Sequence, residues 1–285
     1  MSEQLKRQIA KMIDHSLLNP VMTDQDLEEG CALALQHDVA SVCIKPYYIE
    51  RCAQLLRGSC VVPSTVIGFP HGGHCTAAKL YEAERALRDG GIELDCVSNI
   101  GKVLSHDWKY VEAEIKALAE LIHQGRGLIK VIFENAYLQD PEKIALCKIA
   151  GDCGADWVKT STGYAPGGAT PHDLKLMVAH TGPRVQVKAA GGVRTLRAAV
   201  MVRDIGATRF GASQTDAILK EADQAPDALL QPQPIAERFD APWADEARYA
   251  SLPDGRPDFS RMTVEEKLEY NQRERDRIFG PSRFL

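Results

Sequence analysis

No stretch of this 285-residue chain approaches the roughly 18 consecutive apolar residues that a membrane-spanning helix needs. The opening residues, M-S-E-Q-L-K-R-Q, lack an apolar signal core, so export is not expected. Positive charge is not in excess: 34 Lys and Arg stand against 39 Asp and Glu, a net charge of −5, which leaves no field to draw nucleic acid or an anionic membrane. None of the eight cysteines (Cys31, Cys43, Cys52, Cys60, Cys75, Cys96, Cys147 and Cys153) stands in a C-x-x-C pair. Reduced thiols in a cytoplasm are therefore expected rather than a disulfide framework. Metal-type motifs are equally scarce. H-G-G-H-C at 71–75 puts ligand types in one loop but offers no third ligand at a defined spacing, so neither a metal nor another cofactor is expected.

What the chain does have is alternation. Strand-like runs occupy Met12–Leu18, Ala40–Lys45, Ser64–Phe69, Glu93–Ile100, Leu128–Asn135, Trp157–Ser161, Val185–Ala189 and Thr208–Ser213. Helical segments with recognisable starts lie between them. Thr23 opens one as a cap with Asp26 three residues on; others cover about 48–57, 76–89 and 107–124. Asp140-Pro141 and Thr170-Pro171 each set a cap before a first-turn proline, Thr195 caps the next, and a last short helix begins near Ser213. Eight strand–helix units call for parallel strands with crossover helices, and favour a closed (β/α)8 TIM barrel over an open sheet. Residues 1–223 are read as that barrel. Residues 224–285, rich in proline and charge to about 257, are read as a C-terminal extension: an extended segment, then a short helix opened by Thr263-Val264-Glu265-Glu266.

In such a barrel, function gathers at the carboxyl ends of the strands. Two runs end there in lysine followed by small residues and glycine: D-W-V-K-T-S-T-G at 156–163 and R-V-Q-V-K-A-A-G-G at 184–192. A lysine that attacks a carbonyl must be neutral, yet its ordinary pKa is about 10.4. Lysines on neighbouring strands can come within roughly 5 Å; at an effective dielectric of ~20 their repulsion is about 3 kcal/mol, worth roughly two pKa units, and desolvation adds to it. Lys159 and Lys188 are the expected pair. Asp95 interrupts an apolar run, and Lys130 and Glu134, four apart, are expected on one face of a strand. Charges so placed need mutual pairing or catalytic use. Trp157 is expected to pack against a helix, and Arg194 to form an ion pair at a helix start.

These residues carry a resemblance. I-D-H-S-L-L at 13–18, V-I-G-F-P at 66–70, E-L-D at 93–95, K-V-I-F-E at 130–134, V-K-T-S-T-G at 158–163, V-K-A-A-G-G-V-R-T at 187–195 and R-F-G-A-S at 209–213 resemble the deoxyribose-phosphate aldolases, class I aldolases on a (β/α)8 barrel. The resemblance spans about residues 9–222. It implies Lys159 as the Schiff-base lysine, Lys188 as the second lysine that lowers its pKa, and Asp95 as their partner in proton transfer. It implies reversible cleavage of 2-deoxyribose 5-phosphate to glyceraldehyde 3-phosphate and acetaldehyde. Substrate contacts are expected from Asp14, Ser16, Cys43, Lys130, Thr160, Gly163, Gly191, Gly192, Ser213 and Gln214, with Cys43 at the mouth.

The chain also departs from the pattern. The family's common G-T-S-S-G reads G-A-S-Q-T at 211–215, and T-S-T-G-F-G-T-G-G-A-T reads T-S-T-G-Y-A-P-G-G-A-T. A same-mechanism aldolase acting on a different aldehyde or sugar, phosphorylated or not, is the alternative these changes keep open. The expected partner is a small-molecule aldehyde or sugar phosphate, with no nucleic acid and no membrane; a homo-oligomer is left open.

Overall fold

The computed structural model describes residues 2–226 together with Leu229 and Thr263. Its order is α1 (Ser2–Ala10), β1 (Ile13–Leu17), α2 (Asp24–Gln36), β2 (Ser41–Ile44), α3 (Ile49–Leu55), β3 (Val62–Ile67), α4 (Thr76–Arg88), β4 (Glu93–Val97), α5 (Ile100–Leu104), α6 (Trp108–Gln124), β5 (Leu128–Ile132), α7 (Asp140–Asp152), β6 (Trp157–Lys159), α8 (Pro171–His180), β7 (Gln186–Ala189), α9 (Leu196–Ile205), β8 (Arg209–Ala212) and α10 (Thr215–Asp223). The eight strands pair in sequence order, all parallel, and β1 closes on β8. This is the expected (β/α)8 barrel. The expected extended segment and short helix after residue 224 lie outside the described residues.

Local chemistry sets the helix starts. Thr23 caps α2 in a capping box with Asp26, Asp107 caps α6, and Thr170 and Thr195 cap α8 and α9, each side chain accepting a first-turn N–H. At α7 the cap is Gln139, boxed with Glu142, so Asp140 stands inside the helix rather than ahead of it. The helices α1 and α5 carried no expectation. The strands stop short of their apolar runs: β4 ends at Val97, because Asn99 caps α5 and turns Ile100 into a helix. β5 ends at Ile132, two residues before Glu134, whose φ of 60° breaks the strand.

Register fixes what faces inward, since residues side by side on neighbouring strands share a face. One row runs Val66–Asp95–Lys130–Trp157, and another runs Ile132–Lys159–Lys188–Arg209. Both rows face the barrel axis. The interior that TIM barrels usually fill with branched apolar side chains is here filled largely with charge. Trp157 is accordingly an interior residue and not a helix-packing one. Its Nε1 donates to Thr208 Oγ1 at 3.0 Å, while Lys130 and Arg209 lie over its ring at 5.7 and 5.2 Å.

Candidate active site

Seven ionisable side chains meet inside the barrel. Lys159 and Lys188, adjacent in register, each donate to the same oxygen, Asp95 Oδ2, at 2.7 Å. Their nitrogens cannot be further apart than twice that distance. Lys188 is also ion-paired with Asp14 Oδ2. Beneath them Lys130 bonds Asp95 Oδ1 at 3.0 Å and Glu93 Oε2 at 2.6 Å, and lies 3.4 Å from Asp14. Arg209 spans Asp14 at 2.5 Å and Glu93 at 2.8 Å. Three carboxylates (Asp14, Glu93, Asp95) thus face three cations (Lys130, Lys188, Arg209) and one further amine, Lys159. The set is neutral only when Lys159 carries no proton. A buried cluster left with net charge would lack the compensation that makes burial tolerable.

The titration behaviour follows from this geometry. Lys159 is held below the ordinary lysine value, chiefly by burial; Asp95 opposes the shift and Lys188 adds to it. Burial also works against charge on Lys188 and Lys130, but for Lys188 Asp14 and Asp95 outweigh it, and for Lys130 Asp14, Asp95 and Glu93 do, so both are held above the usual range. Burial would raise Asp95, yet Lys130, Lys159 and Lys188 together pull it far below the carboxylate range. The expected cause for Lys159 is therefore reordered. Repulsion from Lys188 contributes, but desolvation is the larger effect, because the amine is not on an open rim: Lys159 is only 3% exposed.

Other elements hold this set in place. Lys79 on α4, itself fully buried and paired with Glu114 at 2.7 Å, donates to Val97 O at 2.8 Å and so fastens the end of β4 two residues beyond Asp95. Glu134, buried at the start of the β5–α7 loop, accepts from Thr162 N at 3.1 Å and from the Thr162 hydroxyl. Lys130 and Glu134 are therefore not on one strand face, as their spacing implied; they serve different levels of the site.

Of the expected substrate contacts, four lie below the mouth with their polar groups engaged. Asp14 and Lys130 are both held in ion pairs. Cys43 is buried, its Sγ 4.0 Å from Asp95 Oδ2, and burial raises its thiol, so it is a wall residue and not a group at the mouth. The Thr160 hydroxyl bridges to Ala190, donating to its carbonyl at 3.1 Å and accepting its N–H at 3.0 Å. Ser16 is half-buried beside Gly211, which on gaining a Cβ would meet Ser16 Oγ at 3.3 Å and Lys188 Cε at 4.0 Å.

The remaining five follow β6, β7 and β8. Gly163, Gly191 and Gly192 all have positive φ, and a Cβ on Gly191 would lie 2.8 Å from the backbone of Gly168. The loops after β6 and β7 are bonded there, Ala169 N donating to Ala190 O at 2.9 Å. Ser213 and Gln214 are exposed, and Gln214 precedes α10 without a side-chain cap, leaving first-turn N–H groups for another acceptor. Arg194 is half-buried and forms no ion pair among the described residues, contrary to expectation.

His71, His74 and Cys75 are exposed, and no group of three or more His, Cys, Asp or Glu among the described residues is arranged to hold an ion. No helix among them is long and apolar enough to cross a membrane. Reasoning from sequence overlooked Glu93, Arg209, Thr162 and Tyr164. Glu93 sits two before Asp95 in E-L-D, a period-2 spacing that put both on one face.

The closed parallel barrel with its charged interior defines the class, a (β/α)8 enzyme. A family model described as DeoC/LacD family aldolase matches residues 8–220. The deoxyribose-phosphate aldolase of Rhodopirellula baltica is 56% identical over 222 residues, 78% of this chain and 92% of that one; that of Clostridium perfringens is 46% identical over 213 residues, 75% and 95%. The solved tetrameric deoxyribose phosphate aldolase of Aeropyrum pernix matches with a TM-score of 0.71 at 29% identity, covering 77% of this chain and 95% of that chain. The chain belongs to the DeoC/LacD aldolase family, and is a carbon–carbon lyase.

Proposed function

We propose that the protein is a class I aldolase that reversibly cleaves 2-deoxy-D-ribose 5-phosphate to glyceraldehyde 3-phosphate and acetaldehyde through a Schiff base on Lys159. The observation that carries this reading is the buried trio in which Lys159 and Lys188 share Asp95 Oδ2. Lys188 stays charged on two carboxylates while Lys159 has one, already shared with both other lysines. Lys159 is therefore the amine that gives up its proton and attacks.

In the cleavage direction the neutral Nζ adds to C1 of the open-chain sugar, and the carbinolamine loses water to give a protonated imine. The C3 hydroxyl then releases its proton and the C2–C3 bond breaks, its electron pair moving into the imine to form an enamine as glyceraldehyde 3-phosphate departs. C2 takes a proton, and water releases acetaldehyde and the free amine. Asp95, in contact with both lysines, is read as the group that passes these protons, a reading its contacts support. The imine is the electron sink. Gly191, Gly192, Ser213 and the start of α10 are read as the phosphate end, with Arg194 as its cation. The chain is read as a cytoplasmic enzyme able to form a homo-oligomer.

Incubation with acetaldehyde and borohydride, followed by peptide mapping, tests the reading. The label is expected on Lys159 and absent from Lys159→Ala, which should also lose turnover; a label that persists on that variant reassigns the nucleophile. The second reading, an unphosphorylated substrate, is favoured by Gln214, which stands exposed where the resembled pattern has a serine. Relative turnover of 2-deoxyribose and its 5-phosphate separates the two.

A further inference from the structure

The loop after β6 crosses the barrel opening. Tyr164, five residues beyond Lys159, donates its hydroxyl to Leu18 O at 2.8 Å, and its ring stands edge-on to Phe69, 5.5 Å between centroids at 89°. Leu18 directly follows β1, and Phe69 follows β3. In the closed strand order, β7 and β8 separate β6 from β1, and β4 and β5 separate β6 from β3. A loop that touches both partners cannot run along the rim; it spans the mouth.

Both ends of this span are fastened. At its base Thr162 is tied to Glu134 through its N–H and its hydroxyl, and Tyr164 N donates to Thr162 Oγ1 at 3.1 Å. Gly163 makes the turn between them with φ of 90°. At its far end the span is held by the Leu18 carbonyl and the Phe69 ring. Tyr164 is 48% exposed while the Lys159 side chain below is nearly enclosed, so the tyrosine has one side to solvent and stands between solvent and the interior. None of these contacts is needed to close the barrel.

We infer that Tyr164, braced by Phe69 and Leu18, is a specificity-determining residue that limits the size of the acceptor aldehyde reaching the amine. This deepens the Schiff-base reading and rests on it. The two-carbon donor, once bound to Lys159, lies beneath the span, and the acceptor approaches past the ring. A short aliphatic aldehyde passes; one carrying an aromatic ring meets the Tyr164–Phe69 pair.

The test uses the full chain with acetaldehyde as donor and two unphosphorylated acceptors, glycolaldehyde and phenylacetaldehyde. The quantity read is the ratio of kcat/KM for phenylacetaldehyde to that for glycolaldehyde. Tyr164→Ala is expected to raise the ratio at least tenfold. Tyr164→Phe, which keeps the ring and loses only the tie to Leu18, is expected to raise it by less. A general loss of activity cancels in the ratio, so a merely structural role would leave it unmoved. A ratio for Tyr164→Ala within twofold of the parent overturns the inference. Should that variant not fold, Tyr164→Leu and Phe69→Leu are judged by the same ratio. Borohydride labelling of the parent separates the two levels: no label on Lys159 sinks the Schiff-base reading and the inference with it, whereas a labelled parent with an unmoved ratio sinks the inference alone.

Discussion

Lys159 and Lys188 differ by one carboxylate. Both lie 2.7 Å from Asp95 Oδ2, but only Lys188 is also paired with Asp14. Two chemically identical amines on neighbouring strands are thereby pushed in opposite directions, one below and one above the ordinary lysine value. Environments that drive like groups apart assign the roles of base and counter-ion in many active sites.

Replacing Lys188 by Leu removes a positive charge next to Lys159 and leaves Asp14 and Asp95 with less compensation. Both changes favour the protonated form of Lys159, so the amine titrates at a higher pH. The acid limb of the activity profile is expected to move up by roughly one unit or more. A profile from pH 5 to 10 that coincides with the parent's would rule out any electrostatic role for Lys188.

The stability of the fold should respond oppositely to two lysine deletions. Lys159 has a folded-state pKa below its unfolded value, so between the two the unfolded chain binds a proton that the folded chain does not; stability rises with pH through that window and is penalised below it. Lys159→Met is therefore expected to stabilise the protein at pH 7, the gain shrinking as pH rises towards 10. Lys130 is raised, contributing stability at neutral pH that is lost only as pH passes its folded-state value. Lys130→Met strips Asp14, Glu93 and Asp95 of a shared partner and is expected to cost about 3–5 kcal/mol. Urea unfolding at pH 7 and 9.5 measures both.

Arg209 and Glu93 form no ion pair with either of the two paired lysines, yet they bear on the same balance of charge. Arg209→Gln removes a positive charge from the cluster and should move the acid limb up; Glu93→Gln removes a negative charge and should move it down. Each shift is expected at about half a unit. Shifts of the same sign in the two variants, in pH profiles of kcat/KM, would show that Arg209 and Glu93 act only through packing.

Phosphate recognition is tested at the other end of the site. Arg194→Gln is expected to raise KM for 2-deoxyribose 5-phosphate about tenfold, the worth of one charge-assisted contact of about 1.4 kcal/mol, and to leave KM for 2-deoxyribose within twofold. Equal effects on the two sugars would remove Arg194 from the phosphate end.

Much of this was readable along the chain. Eight strand runs separated by capped helices led to the barrel, because period-2 apolar runs and side-chain caps are local properties that packing need not overrule. The lysines and Asp95 stood out because charge inside an apolar strand is costly wherever the strand goes. The strands end earlier than their apolar runs, since Asn99 ends β4 through a side-chain cap and Glu134 ends β5 through a left-handed backbone, and apolarity reveals neither.

The amino-acid order by itself determined a parallel barrel and the two lysines brought side by side at its carboxyl end, since both follow from spacing within neighbouring segments. Only the closed tertiary structure decided which lysine keeps its proton, because that depends on Asp14 and Arg209 arriving from β1 and β8, the two ends of the barrel sequence. The depth of the amine, and with it the dominance of desolvation over repulsion, was likewise decided by closure. So was the span of Tyr164 across the mouth, a contact between segments 146 residues apart that no local pattern encodes.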